Sequence, residues 1–211
     1  MEVKNLGSLA YAESYALQER LAVEVYAGRA PETLLLLEHP PVYTVGRSGN
    51  LHNVLDPKVE TIAVNRGGDV TFHCPGQLVG YPIIDLNRRR RDLHHYLRFL
   101  EEVLIQVAAD FNVVAWRREG ATGIWTEKGK LASIGAGARR WITMHGFALN
   151  VCNDLEGFKR INPCGIVDCA MVSLMLVGAR SLDMERVKNR TASHFQNLLQ
   201  RWLPLNAGSG G

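Results

Sequence analysis

NRGGDVTFHCPGQLVGYPIID, residues 65–85, is the stretch that decides how this chain folds. An arginine and two glycines lead into an alternating segment, a histidine, a Pro-Gly turn and an apolar run. Adjacent glycines permit positive φ and close approach of the backbone to a ligand. A Pro-Gly turn between two strand-forming runs folds them back on each other. The stretch therefore reads as a ligand-cradling loop joined to a buried hairpin. Three later segments accompany it: GKLASIGA (129–136), HGFALN (145–150) and NPCG (162–165). Together the four supply a substrate pocket, a lysine and a candidate nucleophilic cysteine.

Outward from that stretch, hydrophobic period assigns the rest. Leu17, Leu21 and Val25 recur every four residues, which predicts a first helix over 9–27 ended by Gly28. TLLLLE (33–38) reads as a strand buried on both faces, and Pro40-Pro41 enforces a break before a strand over 42–45. A polar loop follows over 46–53. Further strands are expected over 62–64, 70–72 and 78–84. The clearest helix covers 92–110, where Leu93, Leu97, Leu100, Leu104 and Val107 or Ala108 make one apolar face. A short strand is expected over 113–116. Strands over 122–126 and 130–136 flank a tight turn at Glu127-Lys128-Gly129, and two strand pieces follow over 141–144 and 147–151. Residues 160–182 are ambiguous and partly loop. The last helix spans 183–202, with Val187, Phe195, Leu198, Leu199 and Trp202 inward. Many strands with few helices and no regular βαβ alternation give an α/β chain of the mixed α+β kind, a mixed sheet flanked by helices. No repeat or linker divides it. Residues 1–205 read as a single domain and 206–211 (NAGSGG) as a flexible tail.

Composition narrows the function. A hydrophobic fraction of 46% and a charged fraction of 21% are those of an ordinary globular protein. A formal net charge of +3 is too small to imply nucleic acid, and no nucleic-acid motif is present. No apolar run reaches the length of a membrane span, and the N-terminus lacks the regions of a signal peptide, so a cytoplasmic protein with reduced thiols is expected. The four cysteines show neither CxxC pairing nor zinc spacing, and no metal is expected.

The chemistry centres on Cys164. A lone cysteine is usually a small buried hydrophobe. Pro163 and Gly165 place this one in a constrained turn, where a thiol is open to substrate; Cys152 and Cys169 lack such a frame and read as structural. Cys74 lies inside the cradle and reads as a small residue beside the turn, although it could face ligand. A free thiol is only slightly ionised at neutral pH and needs a cation or base. Lys130 is the candidate. It begins a strand after a tight turn, and the residues that follow it, LASIGAGA, are small and apolar as pocket walls are. His73 and His145 read as pocket walls or orienters. The run Arg88-Arg89-Arg90-Arg91 reads either as a solvated loop or as a docking patch for an acidic partner. Neither a phosphate-binding GxxxxGK[ST] loop nor a dinucleotide GxGxxG is present.

The ordered set RGGxxTFH, PGQLVGYP, KxASIG, HGxALN and PCG resembles the bacterial octanoyltransferase family of the lipoate pathway, over nearly the whole chain. That resemblance implies a fold like that of biotin and lipoate ligases, with a smaller second sheet. It implies transfer of an octanoyl group from octanoyl-acyl carrier protein to a lysine of lipoyl domains, in 2-oxoacid dehydrogenase complexes and in the glycine cleavage H protein. No cofactor is implied. By the same resemblance Cys164 carries the acyl thioester and Lys130 lowers its pKa. The substrate pocket is implied to involve Arg66, Gly67, Gly68, Asp69, Val70, Thr71, Phe72, His73, Ser133, Ile134, Gly135, Gly146, Phe147 and Ala148, with His145 in support. One departure is visible: the family usually carries glycine where this chain has Cys74, and a side chain there would reshape the pocket mouth. An ATP-dependent ligase of the same fold, a non-catalytic acyl-binding protein and a thioesterase are the competing readings.

Overall fold

The computed structural model describes residues 1–180 and 182–206. Of the predicted tail, all but Asn206 lies outside the described residues. The elements run β1 (Glu2–Ser8), α1 (Tyr11–Tyr26), β2 (Thr33–Glu38), β3 (Val42–Val45), β4 (Thr61–Ala63), β5 (Val70–His73), β6 (Gln77–Ile83), α2 (Leu93–Asp110), β7 (Trp116–Arg118), β8 (Ala121–Thr126), β9 (Gly129–Arg139), β10 (Ile142–Asn150) and α3 (Met184–Trp202). A seven-stranded mixed sheet has the order β1-β2-β6-β10-β9-β8-β7, and a three-stranded sheet the order β4-β3-β5.

The run of four leucines in β2 shows why the large sheet is covered on both faces. Successive strand side chains point to opposite sides. Leu34 and Leu36 join the cluster packed by α2 and α3, while Leu35 and Leu37 join the one packed by α1. Asp92 and Asp183 cap the last two helices, accepting from the backbone N–H of His95 and Arg186. The α2 stripe turns slightly from the predicted one: Tyr96, Phe99 and Val103 are fully buried beside Leu100 and Leu104, and Leu93 and Leu97 lie at the margin.

Several expectations are corrected. β1 was not legible, because EVKNLGS is largely exposed; it is an edge strand, paired among the described residues with β2 alone and parallel to it. The strand expected over 113–116 is instead β7, which starts at Trp116. The two pieces expected over 141–144 and 147–151 are one strand, β10, which passes through His145 at φ 57° and keeps its register against β9. Gly146 is bare because a Cβ there would sit 2.3 Å from the Gly80 carbonyl oxygen on β6. In the arginine run, Arg89 is buried and paired with Glu32 at 2.5 Å, and Arg90 pairs with Asp92 at 3.0 Å. Arg89 therefore ties the loop before α2 to the residue that leads into β2, and a patch of four solvated arginines is not what the chain displays.

Candidate active site

The two residues singled out for chemistry meet. Lys130, the second residue of β9, is fully buried, and its Nζ donates to Cys164 Sγ at 3.2 Å. The ammonium also lies over the Trp125 ring, 5.3 Å from its centroid. Space for the lysine stem comes from Gly123, where a Cβ would stand 3.0 Å from Lys130 Cε and 2.4 Å from the Ala132 carbonyl. Glu101 of α2, itself fully buried, accepts from the Gly123 N–H at 3.1 Å and holds that bare segment in place. Cys164 sits in a single 3-10 turn, Pro163–Gly165, at φ 57° and ψ 24°. That left-handed conformation is uncommon for a residue with a side chain and marks a site worth functional attention. The sulfur lies 3.8 Å from Ser133 Oγ.

Beyond the sulfur is a cavity lined by Arg66, Gly68, Thr71, His73, Ser133, Ile134, Gly135, His145, Gly146, Phe147 and Ala148, together with Tyr11 and Tyr81. Gly67 lines an adjoining opening with Lys130 and Cys164. Three members of the expected set stand elsewhere. Val70 and Phe72 alternate with Thr71 and His73 along β5, so they point into the core of the small sheet, beside Phe158 and Ile161. Cys74 shares that core; its thiol faces the Asp154 carbonyl at 3.5 Å, and burial pushes its pKa up to about 11. The expected effect of Cys74 on the pocket mouth is thereby corrected: it faces away from the cavity. Asp69 binds neighbouring loops instead. Tyr11 and Tyr81 were missed; Tyr81 lay within a noted motif, and Tyr11 carried no local signal.

The cavity lining is mostly apolar, and its two histidines are neutral. Arg66 is buried, with its guanidinium donating to Thr44 O at 2.9 Å, Thr44 Oγ1 at 3.0 Å and Gly67 O at 3.0 Å. Burial lowers the pKa of Arg66. Gln77 donates its amide to Asn150, so its oxygen accepts from His73 Nδ1 at 2.8 Å, leaving Nε2 of that ring as an acceptor. His145 bonds Asn65 Oδ1 through Nε2 at 2.7 Å, and its backbone N–H donates to Gln18 at 2.7 Å. Burial holds the imidazole pKa of His73 down to about 3 and that of His145 to about 4, with the nearby Arg66 adding to both. Burial likewise raises the Tyr11 hydroxyl to about 12. Among the described residues no group of three or more His, Cys, Asp or Glu could hold a metal. Nor, among them, is any helix long and apolar enough to cross a membrane.

A lipoyl protein ligase A/B catalytic domain is what this fold defines: residues 10–196 match that family. The chain is 65% identical to the octanoyltransferase of Syntrophotalea carbinolica over 205 residues, covering 97% of each. It is 60% identical to the octanoyltransferase of Geobacter metallireducens, covering 97% of this chain and 96% of that one. The chain belongs to the octanoyltransferase family, and the enzyme is an acyltransferase. Solved structures share its architecture at low identity. A bipartite lipoate protein ligase from Thermoplasma acidophilum superposes with a TM-score of 0.72 at 13% identity, over 94% of this chain and 83% of that one. Biotin protein ligase from Aquifex aeolicus gives 0.57 at 12% identity, over 96% of this chain and 70% of that one. These likenesses concern the fold alone, which is the biotin and lipoate ligase type.

Proposed function

We propose that this octanoyltransferase works through a thioester on Cys164, taking the acyl group from octanoyl-acyl carrier protein and delivering it to a lysine of lipoyl domains. The observation that carries the reading is the 3.2 Å contact between the buried Lys130 ammonium and the Cys164 sulfur at the mouth of the cavity. In the first step the sulfur attacks the donor carbonyl, the tetrahedral adduct expels the carrier thiolate, and that thiolate takes up the thiol proton held by Lys130. One thioester replaces another, so no nucleotide is needed. In the second step the acceptor amine attacks the enzyme thioester, losing a proton to Lys130, and the thiolate of Cys164 leaves. The product is an amide.

Strand geometry supports an oxyanion donor. β8 pairs with β9 only as far as Ala132. The Ala136 carbonyl, on the same edge, accepts from Gly67 N at 3.0 Å. By alternation the N–H of Ile134 points to that unpaired edge, between the glycine loop and Cys164. Residues 1–205 act as one catalytic unit in this reading, with the acceptors on 2-oxoacid dehydrogenase complexes and the glycine cleavage H protein and the enzyme in the cytoplasm.

Intact-mass analysis after mixing with octanoyl-carrier protein is the test. Wild type gains one octanoyl group that hydroxylamine removes, and Cys164→Ala gains none. A label that maps to another residue, or turnover that persists in Cys164→Ala, overturns the proposal. An absolute need for ATP would favour ligase chemistry instead.

A further inference from the structure

Asp69 is partly buried in the glycine-rich loop, yet its carboxylate engages the loop that carries Cys164. Oδ1 accepts from Val70 N at 2.6 Å and from Asn50 N at 3.1 Å, and Oδ2 accepts from Asn53 Nδ2 at 2.7 Å. Asn53 passes the connection on. Its carbonyl accepts from Asn162 N at 2.7 Å, and its Oδ1 accepts from Asn162 Nδ2 at 3.4 Å. The Asn162 carbonyl in turn accepts from Gly165 N at 3.0 Å. Gly165 itself packs on Asp69: a Cβ at that position would stand 2.9 Å from Oδ2. The carboxylate thus holds both ends of the turn, Asn162 through Asn53 and Gly165 by direct packing. Cys164 lies between those ends in a left-handed conformation, which persists only where the surroundings enforce it.

We propose that Asp69 is a positioning residue, which through Asn53 holds the Asn162–Gly165 turn so that the Cys164 sulfur stays beside Lys130. The proposal rests on the reading of Cys164 as the acyl acceptor. Its geometric part is independent of that reading, because the thiol can be probed without acyl chemistry. No contact between Asp69 and substrate is needed, and the carboxylate takes no part in bond making.

A reciprocal exchange tests it. Asp69→Asn turns an acceptor toward Asn53 into an amide, and Asn53→Asp sets two carboxylates against each other. The double variant D69N/N53D restores the bond with donor and acceptor exchanged, and leaves an oxygen for Val70, Asn50 and Asn162. Each single variant should lose roughly tenfold or more in kcat for octanoyl transfer, with KM within about twofold, since a displaced nucleophile costs rate more than binding. Alkylation of Cys164 by iodoacetamide, read by peptide mass, should change with kcat. The double variant should return to within about threefold of wild type in both assays, the signature of a direct coupling. Wild-type rates in Asp69→Asn overturn the proposal, and so does a double variant no faster than the singles at an unchanged melting temperature. If a single variant fails to fold, Asn53→Ala carries the same expectation: a slower kcat and altered alkylation support the clamp, and wild-type values overturn it. Failure of wild type to acylate at Cys164 would sink the proposed function, while the alkylation comparison would still decide whether Asp69 holds the turn.

Discussion

Lys130→Met removes the cation beside the thiol and keeps the shape of the side chain. Unit charges 3.2 Å apart attract by about 5 kcal/mol at an effective dielectric of ~20. Desolvation of a fully buried ammonium offsets part of that attraction. A net of about 2–3 kcal/mol remains, which corresponds to a roughly 30- to 150-fold slower reaction of the sulfur. Stability should move the other way. Replacing a buried ion by an apolar group of similar volume is often neutral or stabilising, and a methionine sulfur over Trp125 is a favourable contact. The backbone bonds of Lys130, to Ala170 and Val172, do not involve the side chain. Single-turnover octanoylation and iodoacetamide alkylation of Cys164, each followed by mass, should therefore both slow, while the melting temperature holds or rises. Rates within about threefold of wild type would refute the electrostatic argument. A variant that loses rate and melting temperature together would assign Lys130 to the core and not to the chemistry.

The neutral histidines predict the acid limb of stability. His73 and His145, with pKa values held down to about 3 and about 4, stay unprotonated in the folded chain well below the pH at which the unfolded chain takes up protons, near 6.5. The unfolded state thus binds more protons between about pH 6.5 and those folded values, so the stability these groups contribute is present above that window and is lost as pH falls through it. Urea denaturation should show a loss of roughly 2–5 kcal/mol between pH 7.5 and pH 4.5; a flat profile down to pH 5 would contradict the burial of both rings. Cys74→Gly should leave the ratio of hexanoyl, octanoyl and decanoyl transfer unchanged, because the thiol packs in the small-sheet core. It should cost about 1 kcal/mol of stability through the space it vacates. A shifted chain-length ratio would place Cys74 at the cavity after all.

Much of this protein is written locally. Strand and helix periods, the glycine-rich cradle and the constrained turn at Cys164 depend on dihedral preference and on side-chain spacing of two or 3.6, and they read directly from the residues. Tertiary structure decided what crosses the chain. Lys130 and Cys164 are 34 residues apart and meet because β9 lies inside the large sheet while the 3-10 turn packs on β5 of the small one. β5 turns only Thr71 and His73 toward the cavity, a choice set by which face of the small sheet is covered by Phe158 and Ile161. Arg89 looked like part of a solvated run until Glu32, distant in sequence, paired with it. Tyr11 enters the cavity wall because α1 packs on β10 and β6, which no residue near Tyr11 announces. Local rules set the conformation of a segment and its period. Which edge is left open, which face is covered and which charges meet are properties of non-local packing, and the candidate site is built from those.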